Sequence, residues 1–280
     1  MIPLDFDYYR PNTVAEAIDL YEELAAVGKR PMYYGGGTEI ITMARVHNLD
    51  TGAVIDIKGI PECLDLGFAD GTLVIGAGVS LTRISESKLW PLLAKAGGRI
   101  ADHTTQGKIT LGGNICGSII YHEAVLPLLL TDSEVVVAGS DGQRGVSIHD
   151  IFRERCRLGE GELLVQIRIG KDQLDLPYTH VKRTKCEKID YPLVSVAAIK
   201  RDDEIRVAFS GVCTFPFRSS EVERRLNERS QSTQRRVQDA LKSFPAPLLN
   251  DVFGSAGYRE FVLVSTLLNT LATLEGSENA

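Results

Sequence analysis

The run YYGGGTEII, residues 33–41, places three consecutive glycines directly after an apolar segment. Glycine weakens a regular helix or strand because it loses the most conformational freedom on folding, so the triplet predicts a tight loop. A second glycine pair follows another apolar segment in TLGGNICG, residues 110–117. Each loop carries a hydroxyl group, from Thr38 or Thr110, beside a run of backbone amides. Converging amides bind phosphate, so we predict that both loops contact one large phosphate-bearing cofactor.

Neither loop has an established nucleotide-binding pattern. No glycine occurs at residues 38–40, which excludes G-x-G-x-x-G, and no Gly-Lys-Ser/Thr follows as in a P-loop. A single glycine triplet is most often a plain turn. Two hydroxyl-bearing glycine loops, 75 residues apart when counted from residue 35 to residue 110, are a stronger pattern. They favour a dinucleotide cofactor whose pyrophosphate lies between them.

Composition excludes several classes of function. The 280 residues are 44% hydrophobic and 24% charged, which is typical of a globular chain with a substantial core. A net charge of −6 with scattered basic residues does not favour nucleic-acid binding. No apolar run reaches the roughly 18 residues of a membrane span. The first ten residues, which include Asp5 and Asp7, do not read as a signal peptide, so we expect a cytoplasmic protein.

The cysteine and histidine positions predict no metal site in this chain. The five cysteines are widely spaced and form no C-x-x-C pair, which predicts free thiols in a reducing compartment. His103, His122 and His180 are not arranged at the spacing of metal ligands.

Hydrophobic periodicity predicts an α+β fold in the first part of the chain. Thr13 and Glu16 form a capping box at the start of an amphipathic helix. A later helix over residues 81–97 is predicted to break or bend at Pro91.

A smaller second part is predicted from about residue 173. Strand-like segments and the Asp202–Asp203 turn predict an antiparallel meander. Ser220 and Glu223 are predicted to cap a charged helix, and residues 255–274 form an apolar closing helix.

Seven motifs, in order along nearly the whole chain, resemble one known family. They are YYGGGTEI (33–40), TLGGNI (110–115), LPLLLTDSEVVVAG (126–139), PYTHVKR (177–183), DYPLVSVAAI (190–199), GVCTFPFRSSEVERRL (211–226) and YREFVLVSTLL (258–268). The first is similar to a flavin loop that usually reads Ala-Gly-Gly-Thr-Asp-Leu, and the second matches Thr-Ile/Leu-Gly-Gly-Asn. The chain thus resembles the FAD-binding medium subunit of the molybdenum hydroxylases, the xanthine dehydrogenase and carbon monoxide dehydrogenase family.

The resemblance implies a domain organisation. Residues 1–172 would form an FAD-binding domain of the PCMH or vanillyl-alcohol-oxidase type, with subdomains of about 1–57 and 58–172. Residues 173–280 would form a C-terminal α+β domain with a three-stranded antiparallel sheet and helices, as at the C-terminus of the carbon monoxide dehydrogenase flavoprotein.

The resemblance also implies a role in electron transfer. A molybdopterin-binding large subunit would oxidise the substrate, and electrons would pass through [2Fe-2S] clusters of a small subunit to FAD in this chain. FAD would pass them to NAD or another acceptor within a heterotrimer. Thr38, Glu39 and Ile40 resemble the xanthine dehydrogenase branch.

The resemblance transfers cofactor contacts to particular residues. Glu123 occupies the position of a cofactor-contacting Asp, and the Ser-Pro that usually precedes it is absent. The residues expected at the cofactor are Tyr33, Tyr34, Gly35, Gly36, Gly37, Thr38, Glu39, Ile40, Thr110, Gly112, Gly113, Asn114, Gly117, Glu123, Leu164, Lys182 and Tyr191.

For two of these residues the resemblance implies a specific role at the flavin, and each also has an ordinary structural alternative. Lys182 would lie near the flavin and raise its midpoint potential, so Lys182→Met would lower that potential; a surface lysine is the alternative. Tyr191, after Asp190, would cover one flavin face, or else belong to the core.

Two alternative functions remain open from sequence. One is a stand-alone flavin oxidase of the same superfold, although the C-terminal part is short for the usual substrate-binding cap. The other is a scaffold subunit without flavin, for which the altered SIIYHE segment, residues 118–123, is the only support.

Overall fold

The computed structural model describes residues 4–186 and 189–276 and contains three main sheets. The first is parallel, with the order β1-β3-β2. Its strands are β1 (Asp7–Tyr9), β2 (Pro31–Tyr34) and β3 (Ala53–Asp56). All four residues of β3 are buried, as expected for the central strand of a parallel sheet covered on both faces.

Helix α1 (Val14–Ala26) connects β1 to β2, and its start was correctly predicted. The Thr13 hydroxyl accepts a hydrogen bond from the Glu16 N–H at 3.1 Å. The Glu16 carboxylate accepts one from the Asn12 N–H at 2.8 Å, which satisfies a second free amide. Helix α2 (Thr38–Arg45) then connects β2 to β3. This helix was not predicted from the sequence.

The second sheet has the order β4-β5-β10-β6-β7 and is antiparallel. Its first four strands in the chain are β4 (Leu66–Ala69), β5 (Thr72–Gly76), β6 (Glu134–Gly139) and β7 (Gly142–Ser147). A small hairpin of β8 (Phe152–Arg153) and β9 (Arg155–Cys156) follows. Strand β10 (Leu163–Gly170) then returns to the centre of the sheet.

Six helices lie between β5 and β8. They are α3 (Leu81–Ser87), α4 (Pro91–Gly97), α5 (His103–Gln106), α6 (Leu111–Cys116), α7 (Val125–Leu130) and α8 (Ile148–Ile151). The predicted break at Pro91 is confirmed, because Pro91 begins α4 at a position where its missing N–H costs no hydrogen bond.

The third sheet has the order β11-β12-β13-β14. The predicted meander is confirmed as β11 (Tyr178–Arg183), β12 (Val194–Arg201) and β13 (Glu204–Ser210), and a two-residue strand, β14 (Phe217–Arg218), extends it. The helices that follow are α9 (Ser220–Leu226), α10 (Thr233–Leu241) and α11 (Ala256–Gly276).

The predicted cap of α9 was wrong by one residue. Ser219, in an extended conformation, accepts the hydrogen bond from the Val222 N–H, and Ser220 is already helical. The Glu223 side chain is used elsewhere: it accepts from the Val207 N–H at 2.9 Å and from Arg218 at 2.7 Å.

Strand β12 joins two hydrophobic cores, because alternate side chains on a strand point to opposite faces. Val194, Val196 and Ala198 belong to the core formed with α9, α10 and α11. Ala197 and Ile199 belong to the larger core formed by the first part of the chain. The two parts therefore pack through a shared sheet, and the exact domain limits stay a prediction.

Candidate functional site

A cavity of about 740 Å³ is lined by residues of the first two sheets and by Lys182 of the third. All the predicted site residues except Tyr34 line it. Its volume lies within the range of roughly 300–1,000 Å³ that is typical of ligand sites. The structure therefore gathers residues from positions 33–40, 110–123, 164, 182 and 191 around one space.

The first glycine loop ends at the start of α2 and offers free hydrogen-bond donors. Gly37 precedes the helix with φ of 70°, a left-handed conformation that favours glycine. Within the described residues, the backbone N–H groups of residues 36–40 find no acceptor. Helix N-termini carry partial positive charge in addition to free N–H groups. This wall of the cavity is therefore suited to an anionic group.

Tyr34 lies behind this loop and not at the cavity. A methyl group on Gly37 would overlap the Tyr34 ring, which explains why glycine is needed there. The Lys58 ammonium lies 4.6 Å from the centre of that ring and donates a hydrogen bond to the Gly35 carbonyl. Tyr34 and Lys58 thus support the loop from its far side.

The second glycine loop forms a wall whose amides are already bonded. The N–H groups of Leu111 and Gly112 donate to the carbonyls of Val79 and Ala77, each at 2.9 Å. The Gly113 N–H donates to the Thr110 hydroxyl at 3.1 Å, and the Asn114 N–H to the Thr110 carbonyl at 2.9 Å. The expectation of a second set of free amides was therefore wrong, although these residues do line the cavity.

The two glycine loops contact each other directly. A methyl group on Gly36 would overlap the Lys108 carbonyl oxygen, just before the second loop. The Glu39 carboxylate accepts hydrogen bonds from the Ser118 N–H at 2.6 Å and the Ser118 hydroxyl at 2.7 Å. The side chain of Glu39 therefore connects α2 to the segment that follows α6.

Glu123 and Lys182 form a buried ion pair at the cavity. Their side chains are 4% and 2% exposed, and the Lys182 ammonium lies 2.6 Å from the Glu123 carboxylate. Lys182 also donates to the Arg99 carbonyl at 2.8 Å, and the Ser195 hydroxyl donates to Glu123 at 2.5 Å. Burial raises the pKa of Glu123, against the opposing effect of Lys182. From the sequence, the two residues were each expected at the cofactor, but their pairing was not predicted.

Aromatic rings lie at the mouth of the cavity. The Tyr191 ring stacks on Tyr121 with ring centres 4.7 Å apart, and Phe253 contacts Tyr191 edge-on at 6.0 Å. Tyr191 remains 46% exposed, which argues against the alternative that it is a core residue. Its predicted position over a flavin face stays a prediction.

A third segment of the cavity wall was predicted from the sequence only at Leu164. Residues 158–164 line the cavity and include Gly159 and Gly161, which form a recognisable Gly-Glu-Gly signal. The Tyr33 hydroxyl donates to the Gly161 carbonyl at 2.8 Å, and its ring stacks on Tyr21 at 5.2 Å. This contact fixes the segment against the end of β2.

His122 also lines the cavity and was not among the expected residues. Its Nδ1 atom lies 2.6 Å from the Asn114 carbonyl, which can only accept, so Nδ1 carries the hydrogen. Burial lowers the pKa of His122, which favours the neutral ring.

Residues 4–186 and 189–276 contain neither a metal-binding cluster nor a membrane-spanning helix. Within those ranges, no cluster of three or more His, Cys, Asp or Glu side chains is arranged to hold a metal ion. No helix within them combines the length and apolar character needed to cross a membrane.

The chemical groups on the cavity wall fit a dinucleotide cofactor. The free amides of residues 36–40 match the acceptor oxygens of a pyrophosphate. The rings of Tyr21, Tyr33, Tyr121 and Tyr191 provide flat apolar surface for the cofactor rings.

The family of FAD-binding domains in molybdopterin dehydrogenase matches residues 4–171, and the chain belongs to this family. It is 29% identical over 239 residues to the glyceraldehyde dehydrogenase medium chain of Sulfolobus acidocaldarius, covering 80% of this chain and 82% of that one. It is 30% identical over 176 residues to the carbon monoxide dehydrogenase medium chain of Hydrogenophaga pseudoflava, with 60% of each chain covered.

Fold similarity extends over almost the entire chain. The structure of the carbon monoxide dehydrogenase from Hydrogenophaga pseudoflava that lacks the Mo-pyranopterin moiety of its molybdenum cofactor superimposes with a TM-score of 0.87. The match covers 99% of both chains at 24% identity, so it bears on the fold alone. The family match and these relatives make this chain an FAD-binding oxidoreductase subunit of the molybdenum hydroxylase type.

Proposed function

We propose that this chain is the electron-transfer subunit of a molybdopterin-containing dehydrogenase and binds FAD in the cavity. A partner subunit with [2Fe-2S] clusters would supply electrons that originate at a molybdopterin-binding large subunit. NAD or another acceptor would receive them. The observation that carries the proposal is the row of free amides at residues 36–40 on the wall of a cavity large enough for a dinucleotide.

The protein contributes binding and electrostatics, whereas bound FAD supplies the redox chemistry. The amides of residues 36–40 would bind the pyrophosphate, and the second glycine loop would allow close approach without donating its amides. The Glu123–Lys182 pair would place a nearly neutral but titratable group beside the cofactor. Tyr191 would cover a flavin face at the mouth.

The first test is the absorbance spectrum of the purified chain, with chromatography of the released cofactor. Flavin bands and released FAD are expected. A colourless chain that does not take up added FAD would refute the proposal and favour the scaffold alternative.

A second test concerns electron transfer. The purified FAD-bound chain is mixed anaerobically with its copurified partner subunits and the substrate of the complex. Bleaching of the flavin bands only when the partners are present is expected. Direct reduction of the isolated chain by that substrate would refute the electron-transfer role and favour a stand-alone flavin oxidase.

A further inference from the structure

Cys116 and Cys156 lie side by side although 40 residues separate them in the chain. Their Sγ atoms are 3.6 Å apart. Cys116 is the last residue of α6, which carries the second glycine loop, and it lines the cavity. Cys156 ends β9, two residues before the cavity segment 158–164. The thiol pair thus lies where two walls of the cavity meet.

The spacing of the sulfurs is close to that needed for a disulfide. A disulfide bond is about 2.05 Å long, so the two atoms must approach by about 1.6 Å. Helix α6 and strand β9 already pack against each other, so the fold holds the two cysteines near one another. The Cys116 residue is exposed and Cys156 is half-buried, so the pair lies near the protein surface.

The two thiols differ in acidity in the way that dithiol oxidation requires. Cys116 donates its S–H to Cys156, and this hydrogen bond lowers the pKa of Cys156 and raises the pKa of Cys116. Cys156 is therefore the thiol that ionises first, and thiolates are the reactive form of cysteine.

The other cysteines lack this combination. Burial raises the pKa of Cys63 to about 12 and the pKa of Cys213 to about 11, so both are poor nucleophiles. Cys186 is exposed, and among the described residues no other thiol forms a hydrogen bond with it. It is a suitable control.

We propose that Cys116 and Cys156 form an oxidation site at which hydrogen peroxide converts the two thiols to a disulfide. The Cys156 thiolate attacks one peroxide oxygen, the O–O bond breaks, and hydroxide takes a proton and leaves as water. The Cys116 sulfur then attacks the Cys156 sulfenic acid, which forms the S–S bond, breaks the S–O bond and releases a second water. The two thiols lose two electrons in total, and the peroxide gains them.

The disulfide would crosslink two walls of the cavity. It would join α6 to the strand that leads into residues 158–164, and both segments line the space. If FAD occupies this cavity, as proposed above, its release requires those walls to open locally. We expect the crosslink to slow FAD release by about tenfold or more, because local opening becomes restricted.

The experiment treats the purified full-length chain with a small excess of hydrogen peroxide and blocks remaining thiols with an alkylating reagent. Mass spectrometry of the intact chain and of its proteolytic peptides then identifies the product. Cys116→Ser and Cys156→Ser remove the pair, and Cys186→Ser is the matched control. FAD release from oxidised and reduced protein is followed by chromatography.

The expected product is a chain lighter by two hydrogen atoms with a crosslinked 116–156 peptide, in wild type and in Cys186→Ser only. The site is refuted if wild type gains oxygen atoms without that crosslink, or forms a crosslink through Cys186. Equal FAD release from the oxidised and reduced forms refutes the effect on the cofactor. A chain that forms the disulfide but never binds FAD refutes the proposed function and leaves the oxidation site standing.

Discussion

Replacing Lys182 with Met should destabilise the protein, and the loss should depend on pH. The substitution removes the ammonium that bonds both the Glu123 carboxylate and the Arg99 carbonyl. It leaves Glu123 with the Ser195 hydroxyl and the more distant charge of Arg99, in a position that is 4% exposed. Breaking one side of a buried ion pair typically costs about 3–5 kcal/mol in the free energy of unfolding.

The variant can relieve part of this cost by protonating Glu123. Burial already raises the pKa of Glu123 in the wild type, and removal of Lys182 takes away the main opposing influence. The pKa in the folded variant therefore lies above the unfolded value, so stability is greatest below the unfolded pKa and falls as pH rises through the folded pKa. The loss should be larger at about pH 8 than at about pH 5.

Equilibrium unfolding in urea at both pH values measures this effect. Lys242→Met is the matched control, because Lys242 is 65% exposed and its pair with Asp239 should contribute at most about 1 kcal/mol. Adding Glu123→Gln to Lys182→Met should recover much of the stability at high pH by removing the unpaired charge. Equal stabilities of Lys182→Met and Lys242→Met, or a loss that does not change with pH, would refute the reasoning.

Three further perturbations test other features of the site and fold. In Gly36→Ala the added methyl group would overlap Lys108, at an overpacking cost of about 1–3 kcal/mol, which should weaken FAD binding about 5- to 150-fold. Gly257→Ala is the control, because its methyl group would enter open space and should leave the FAD affinity measured by titration unchanged. Glu123→Gln should raise the flavin midpoint potential by about 30 mV or more, which corresponds to a tenfold change in relative affinity for the reduced cofactor. Lys182→Met should lower the flavin midpoint potential at high pH. An unchanged potential in both variants would exclude an electrostatic role for the pair. Asp132→Asn should lower Tm at neutral pH, and the difference should shrink as the pH falls below 3.8. Burial opposes ionisation of Asp132, but His149, Arg218 and Arg206 hold its pKa below 3.8, so the stabilisation from the carboxylate is lost as the pH falls through that lowered pKa. A Tm difference that persists in acid would contradict this.

Local signals made much of the fold predictable. The capping box at Thr13 and the helix break at Pro91 each depend on residues within one turn of the chain. Helix α2 escaped because it has only eight residues, so its apolar Ile40, Met43 and Ala44 are too few to establish a helical period after a glycine triplet that favours a loop. The cap of α9 was misplaced because Ser220 has Glu223 three residues later, as in a capping box, whereas Ser219, which actually caps the helix, has Val222 there.

The glycines of the site were predictable from the sequence, but its long-range hydrogen bonds and its ion pair were not. The amides of Leu111 and Gly112 are occupied by carbonyls of Val79 and Ala77, more than 30 residues earlier in the chain. No local pattern encodes such a partner, so the second loop read as an anion-binding loop. The Glu123–Lys182 pair escaped for the same reason, since its members are 59 residues apart.

The two glycine loops differ in whether their backbone amides are already hydrogen-bonded, and this difference decides which cavity wall changes when a cofactor binds. The second loop satisfies its amides within the chain, so that wall is complete once the polypeptide has folded. The first loop leaves the N–H groups of residues 36–40 without an acceptor among the described residues, so water or an added anionic group must complete their bonding. Binding of an anionic cofactor would therefore replace the hydrogen bonds of the first loop and leave those of the second loop unchanged.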